Sequence, residues 1–158
     1  MIKNICGCDF KYENDKMYKL NKHTKKWTCC NYNKSDNGYI RICINYKRYL
    51  LHRLIYKYHN EDWDITDISS NNQIDHYDIN KSNNKIENLR ILTCSQNTRN
   101  QKKRENTSSK YIGVFKSGNK WVAQIRIDGK NKHLGSYETE EEASEVYKKK
   151  CKELMPKY

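Results

Sequence analysis

The sequence has no long apolar run, and this absence excludes several classes of protein. Residues 1–10 lack the apolar h-region of a secretory signal, and no later stretch provides the roughly 20 apolar residues of a membrane-spanning helix. Hydrophobic residues make up only 35% of the 158-residue chain. We therefore expect a protein that is neither secreted nor inserted in a membrane, and that works inside the cell, in the cytoplasm or the nucleus.

The chain also lacks cysteine pairs of the C-x₂-C type, although it contains seven cysteines. Structural zinc sites typically use such pairs. The N-terminal residues Cys6, Cys8, Cys29 and Cys30, with His23 between them, have a different spacing. We therefore expect free thiols in a reducing compartment rather than a structural zinc site.

Acidic residues are scarce beside basic ones, with 19 Asp and Glu against 31 Lys and Arg, a net charge of +12. The excess is spread over both halves of the chain, which predicts a polyanionic partner. Double-stranded DNA is favoured over a membrane surface because no strongly amphipathic basic helix is evident. RNA is less favoured because no platform for stacking single-stranded bases is apparent.

Residues 74–97 concentrate the side chains that can carry chemistry. Asp75 and His76 end a short predicted strand, an Asn-rich turn follows, and Leu89–Leu92 forms the return strand. A capping-box pattern comes next and places Asn97 in the first turn of a helix. A carboxylate, an imidazole and an amide oxygen would thus meet, as metal-assisted phosphodiester cleavage requires. With no second carboxylate evident, one metal is favoured over two.

This stretch resembles the HNH motif of the ββα-metal, or His-Me finger, nucleases, and is most similar to their homing-endonuclease branch. The residues that carry the resemblance are Asp75, His76, Asn80, Asn84, Asn88, Leu89, Arg90, Thr93 and Asn97. The preceding stretch, Tyr49 to Tyr58, is similar to the helix that comes before the finger in that branch.

The resemblance implies a role for each main residue of the motif. His76 would be the general base that activates water, and Asp75 and Asn97 would be the ligands of one divalent metal, Mg²⁺ or Mn²⁺. Asn88, together with Asn84, would have a structural role in the hairpin.

Two plainer interpretations remain open. An Asp-His pair in a polar loop is often a surface ion pair or a capped turn. The finger can also be present without activity, in which case the protein would be a non-catalytic DNA-binding transcriptional regulator.

The segments before the finger give weaker signals. Met17 to Leu20 and Lys26 to Asn31 have the composition of short strands, and Ile40, Ile42 and Ile44 alternate with polar residues as in a half-buried strand. The apolar residues between Leu50 and His59 recur at helical spacing, and His52 beside that stripe is best interpreted as a packing residue. Residues 61–72 are polar and predict a loop.

The C-terminal part predicts three strands and a helix. The strands are Tyr111–Lys116, Lys120–Ile127 and Lys130–Tyr137, and Asp128-Gly129 is a strong hairpin signal between the last two. Thr139 to Glu142 forms a capping box at the start of an amphipathic helix.

This C-terminal segment resembles an AP2 domain, a module that binds DNA through its sheet. The resemblance rests on residues 111–114, 120–126, 134–137 and 139–143, and it implies that Gln124 and Arg126 read bases. Residues such as His133 depart from plant AP2 domains, so the plant recognition site is not transferable. The predicted DNA contacts along the chain are Arg41, Arg90, Lys116, Lys120, Gln124, Arg126, Lys132 and His133.

Together these patterns predict an α+β protein with a ββα-metal finger, flanked by a hairpin and a helix, and a three-stranded antiparallel sheet packed on one helix. The predicted parts are residues 1–38, of unclear role, a nuclease domain at 39–106 and an AP2-like domain at 107–158. The predicted function is that of a metal-dependent homing-type DNA endonuclease. A single active site per chain predicts nicking by a monomer, unless a transient dimer forms.

Overall fold

A computed structural model describes residues 1–30, 35–101 and 105–154 of the chain, and backbone contacts divide it into two units. The first unit is Met1–Cys94 and the second begins at Ser95. The sequence predicted a boundary near Asn106 and treated residues 1–38 as a separate segment. The division in the structure falls earlier, and the first 30 residues share one unit with the finger.

Short antiparallel hairpins build the first unit. Strands β1 to β4 form one sheet in sequential order, β5 pairs with β6, and β7 pairs with β8. Helix α1 lies between β6 and β7 in the chain, and a 3₁₀ turn at Ile86–Asn88 comes just before β8. The bounds are β1 Ile2–Ile5, β2 Cys8–Glu13, β3 Lys16–Leu20, β4 Trp27–Cys29, β5 Arg41–Ile44, β6 Lys47–Leu50, α1 Leu51–His59, β7 Gln73–His76 and β8 Leu89–Leu92.

Tight turns with a left-handed backbone connect the paired strands of these hairpins. Cys6-Gly7, Asn14-Asp15 and Asn45-Tyr46 each have two central residues with positive φ, between 47° and 78°. Such turns match the right-handed twist of the flanking strands. The sequence predicted the turn at Asn45 and the strand at Met17, but it missed β1 and β2, because charged residues interrupt their alternation.

Helix α1 joins the N-terminal sheet to the finger in one hydrophobic core. Its residues Leu51, Leu54, Ile55 and Tyr58 are buried, as the helical spacing predicted. Phe10 and Met17 from the N-terminal sheet are fully buried in the same core. Ile74 and Leu89 contribute from β7 and β8. The finger therefore owes its hydrophobic support to elements outside its own hairpin.

The predicted loop after α1 has no regular structure, but Arg53 of the helix holds it in place. The Arg53 guanidinium donates three hydrogen bonds to loop carbonyls and stacks on the ring of Trp63, 4.6 Å from its centroid. The carbonyls belong to Ile65, Asp67 and Asn72, at 2.9, 2.7 and 3.1 Å. Since Asn72 directly precedes β7, these bonds fix the chain as it enters the finger.

The seven cysteines all lie within the described residues and are free thiols, two of them buried. Burial raises the pKa of the Cys30 thiol to about 12.

Among residues 1–30, 35–101 and 105–154, no helix is long and apolar enough to cross a membrane.

A three-stranded antiparallel sheet and one long helix form most of the second unit. The strand order is β11-β10-β9, and the predicted bounds of the two longer strands are confirmed. The short helix α2, Cys94–Asn97, begins at the last residue of the first unit, and the other elements are β9 Val114–Ser117, β10 Lys120–Ile127, β11 Lys130–Tyr137 and α3 Glu140–Leu154. The β9 strand begins later than predicted because Gly113 adopts a positive φ of 73°.

Reciprocal hydrogen bonds start helix α3 and confirm its predicted capping box. The Glu142 amide donates to Thr139 Oγ1 at 3.3 Å, and the Thr139 amide donates to Glu142 Oε2 at 3.2 Å. Under the helix, Val114, Ala123 and Ala143 form a small buried core. Partly buried side chains surround it, namely Tyr111, Trp121, Leu134 and Tyr137.

Gly113 has both a left-handed backbone and a close neighbour. A Cβ at this position would lie 2.0 Å from the Tyr147 ring, whereas a Cβ at Gly118, which also has positive φ, would meet no atom within 4 Å. We expect Gly118→Ala to lower the free energy of unfolding by about 1 kcal/mol from backbone strain. Gly113→Ala should lower it by about 3 kcal/mol because overpacking adds to that strain.

Urea unfolding followed by circular dichroism, with both variants beside the wild-type protein, measures the difference. Equal losses for the two variants would show that the Tyr147 ring moves aside at no cost.

Candidate active site

The β7–β8 hairpin determines where the candidate catalytic residues lie. Antiparallel pairing puts Asp75 opposite Arg90 and His76 opposite Leu89. Because successive side chains in a strand point to opposite faces, Asp75 and His76 leave β7 in different directions. Both are buried, with 6% and 3% of their surface exposed.

Asn88 is the hydrogen-bonding centre of the turn between the two strands. Its Nδ2 donates to Asp78 Oδ1 at 2.9 Å and to the carbonyl of Asn83 at 2.7 Å. Its Oδ1 accepts from the Asp78 amide at 3.0 Å. These are the contacts expected of a residue that pins a hairpin, the role that the motif resemblance implies for Asn88.

The Asp78 carboxylate accepts hydrogen bonds from several other residues of the turn. Burial pushes its pKa upward, but hydrogen bonds from the Asn83 side chain, the Asn80 amide and the Asn88 side chain outweigh this, so that the pKa lies below its usual value. The carboxylate therefore stays ionised at neutral pH and holds the loop as an acceptor of hydrogen bonds.

Asn84 fixes the imidazole of His76. The His76 Nε2 lies 2.8 Å from Asn84 Oδ1, and both side chains are buried. Since an amide oxygen only accepts hydrogen bonds, Nε2 must carry the proton. In the neutral ring the lone pair is then on Nδ1, the nitrogen able to take a proton.

Two further rings pack against His76. The His52 ring meets it edge-on, with centroids 5.0 Å apart, and Tyr39 lies 5.2 Å from His52 and 6.0 Å from His76. Burial, and to a lesser extent the nearby His76 and Arg53, lowers the pKa of His52 to about 3. Burial and then the charge of Asp75 raise the pKa of Tyr39. His52 is therefore a neutral packing partner of His76.

A buried ion pair holds Asp75. Arg90 Nε lies 2.8 Å from Asp75 Oδ2, with 9% and 6% of the two side chains exposed. The guanidinium also sits 4.9 Å from the Tyr77 ring centroid. Arg90 was predicted to contact DNA, but the structure gives it this internal partner. In the β7–β8 hairpin the pair next to the turn is His76 with Leu89, and the following pair is Asp75 with Arg90. The partner of Arg90 could therefore have been predicted once the first pair was known.

The oxygen donors predicted from the motif suit a hard divalent cation such as Mg²⁺ or Mn²⁺. Within the described parts of the chain, no group of three His, Cys, Asp or Glu side chains could hold a metal ion. A cation bound by Asp75 and Asn97 would therefore complete its shell with water and phosphate oxygens. Asn97 ends the four-residue helix α2 in the second unit, and its role as a ligand stays a prediction.

Strand register separates the predicted DNA contacts of the second unit into two faces. Gln124 is paired with His133 and lies on the same face of β10 as Arg126 and Lys120, opposite the helix. Lys116 is paired with Trp121 and Lys132 with Ile125, on the face that α3 covers. Lys116 and Lys132 therefore belong to the sheet edges on the helix side, which the sequence did not indicate.

Two residues near the site were not among the predicted ones. Tyr39 belongs to the ring cluster described above, and Lys81 from the finger turn lies over the Tyr39 ring, 4.6 Å from its centroid. Their positions depend on contacts between distant parts of the chain, which no local pattern reveals. Arg41, a predicted DNA contact, is exposed on β5.

Comparisons with known proteins agree with the nuclease motif. Residues 49–99 match the model of a family described as HNH endonuclease. The chain is similar to an uncharacterized HNH endonuclease of Acanthamoeba polyphaga mimivirus, with 36% identity over 109 residues that cover 68% of this chain and 54% of the relative. The chain thus spans about half the length of that curated relative. No solved structure gives a significant match.

The buried, neutral His52 makes a pH-dependent contribution to stability. With a folded pKa of about 3 against about 6.5 in the unfolded chain, the unfolded state binds more protons between these values. Stability should therefore fall as pH drops below about 6.5, by up to about 1.4 kcal/mol per pH unit. His52→Phe keeps a packed ring and should flatten this part of the profile.

The free energy of unfolding of the wild type and of His52→Phe is measured in urea at pH 7.5, 6.0 and 5.0. Other titrating groups are the same in the two proteins, so the difference between their profiles reports on His52. If the free energy of unfolding changed with pH to the same extent in both proteins, protonation of His52 would not destabilise the folded state.

Proposed function

We propose that this protein is a metal-dependent DNA endonuclease of the HNH homing type that hydrolyses phosphodiester bonds. The observation that carries the proposal is the buried arrangement at the end of β7, where Asn84 holds the His76 ring and Arg90 holds the Asp75 carboxylate. The match of residues 49–99 to an HNH endonuclease family supports the same chemistry.

In this proposal His76 acts as the general base. Its Nδ1 removes a proton from a water molecule, whose oxygen attacks phosphorus as the bond to the 3′-oxygen breaks. The Nε2–H keeps its hydrogen bond to Asn84, so that the ring stays oriented as it becomes an imidazolium. The packed rings of His52 and Tyr39 restrict its rotation from the other side.

Asp75 and Asn97 are the residues that would hold the metal in this proposal. Held by Asp75 and Asn97, a Mg²⁺ or Mn²⁺ would polarise the phosphate and stabilise the charge that develops on the leaving 3′-oxygen. The buried pair with Arg90 holds the Asp75 carboxylate in one orientation, which a metal ligand requires.

One such site per chain leads to a nick in one strand. A double-strand break would need two chains, which makes a transient dimer the alternative to a monomer. In either state the partner would be duplex DNA, as the net charge of +12 favours.

The sheet of the second unit would read part of the DNA site, as in an AP2-like module. Its outer face carries Lys120, Gln124, Arg126 and His133, and Arg126 is exposed. A guanidinium in the major groove can bind guanine in a bidentate manner, and an amide can bind adenine. The three-stranded sheet packed on one helix supports this role by its architecture.

Replacing the proposed base tests the nuclease. We expect His76→Ala to lower the rate of plasmid nicking about 10²- to 10⁴-fold, the usual contribution of general-base catalysis, while DNA affinity stays within twofold. Supercoiled plasmid carrying the target site is incubated with Mg²⁺, with Mn²⁺ and with EDTA, and open-circle product is quantified on gels. His59→Ala, which removes an exposed histidine from the same unit, is the matched control.

Cleavage by His76→Ala at the wild-type rate would remove His76 from the role of base. If wild-type protein binds its site with no cleavage in either metal, the non-catalytic regulator becomes the better description.

Replacing the proposed base-reading arginine tests the sheet. Arg126→Ala should weaken specific DNA binding by about 1–3 kcal/mol, the value of one bidentate base contact, and relax specificity at one position. Lys132→Ala, which removes a charge from the helix side of the same sheet, should change affinity less and leave specificity intact. Binding to a set of single-base variants of the site measures both, and an equal loss of specificity in the two variants would contradict the proposed orientation.

A further inference from the structure

A groove of about 480 Å³ opens on the first unit, between the N-terminal sheet and the β5–β6 hairpin. Three of its lining residues, Cys8, Cys30 and Ile42, are buried. Its other lining residues are polar or basic apart from Leu20, and none of the described lining residues is acidic. The groove lies outside the stretch that matches the HNH family, residues 49–99.

Two lysines are held across this groove by backbone carbonyls. Lys19 Nζ donates to the carbonyl of Cys43 at 3.2 Å, and Lys22 Nζ donates to the carbonyl of Gly7 at 2.9 Å. An ammonium has three N–H donors, so one bond to a carbonyl leaves the group able to bind an anion as well. Lysines ordered in this way lose less side-chain entropy when they bind.

The β5–β6 hairpin continues the positive charge beyond the groove. Cys43, which lines the groove, pairs directly with Arg48, and Arg41 lies two residues before Cys43 on the same face. Both arginines are exposed. Lys19, Lys22, Arg41 and Arg48 therefore form one surface, here called the N-terminal basic surface.

The thiols at the groove do not make it a metal site. Metals bind the thiolate form of cysteine, and burial raises the pKa of Cys30 to about 12. The described residues of the groove contain no group of three ligands placed to hold a metal ion. Several ammonium and guanidinium groups, with no carboxylate among the described lining residues, fit a row of phosphates instead.

We propose that the N-terminal basic surface binds the phosphate backbone of duplex DNA and so holds the substrate on the unit that carries the nuclease finger. The choice of DNA as the polyanion rests on the proposed function. The role would be that of a positioning contact without base specificity, since lysine ammonium groups bind phosphate as point charges. It gives the first 38 residues a function that the finger alone does not supply.

The salt dependence of binding tests the proposal. Affinity for a fluorescent duplex is measured by anisotropy between 50 and 200 mM salt in EDTA, so that cleavage does not interfere. Lys19→Gln with Lys22→Gln should weaken binding about tenfold at the higher salt and reduce the slope of log K against log salt by about 1.8, since each phosphate contact contributes about 0.9. Lys16→Gln with Lys152→Gln removes the same charge from exposed positions outside the surface and should reduce the slope by less than half as much.

A second pair of variants separates charge from folding. Lys19→Arg with Lys22→Arg keeps both charges and should retain the wild-type slope. An unchanged slope in the Gln variants, or an equal change in the control pair, would overturn the proposal, as would loss of the slope in the Arg variants. Because the assay reads binding without cleavage, its failure is distinguishable from failure of the nuclease, which the His76→Ala experiment tests.

Discussion

The buried ion pair between Asp75 and Arg90 is the contact on which the finger depends. The two residues are direct partners on β7 and β8, so the pair forms only in one strand register. A slip by one residue would exchange the faces of every side chain on the strand and leave both charges unpaired in the core. Breaking a buried pair by removing one partner typically costs about 3–5 kcal/mol. The same contact therefore orients a proposed metal ligand and specifies the position of His76 beside it.

The finger is small, and its stability comes from outside its own hairpin. A single two-stranded hairpin is marginally stable in water at best. Here its apolar residues Ile74 and Leu89 join a core built mainly by α1 and the N-terminal sheet, and Arg53 fixes the loop that leads into β7. Asp78, Asn84 and Asn88 lie in the turn, where their hydrogen bonds determine its shape. His76 shares a strand face with Ile74 and Leu89, so the core that stabilises the hairpin also supports the proposed base.

Local chemistry made much of the fold predictable, and long-range contacts made the rest unpredictable. Asp128-Gly129 and the capping box at Thr139 are short patterns whose physics lies within a few residues, and the structure bears them out. The apolar stripe of α1 was equally clear, because apolar residues at helical spacing indicate a buried face whatever packs against it. By contrast, the contact of His52 with His76 joins residues 24 positions apart, and β1 and β2 are stabilised by pairing rather than by their own composition. The motif predicted Asp75 and His76 as site residues, but it did not indicate that Arg90 would be buried beside Asp75.

Both units carry exposed basic groups, whereas the charged groups next to the candidate site are paired or neutral. At the site, Asp75 is paired with Arg90, and burial keeps His52 neutral. Exposed basic groups are found on the β5–β6 hairpin of the first unit and on the outer face of the sheet in the second unit. In the proposed function, basic surfaces on each unit supply the affinity that brings DNA to the catalytic site. This role would account for positive charge that is spread over the whole length of the chain.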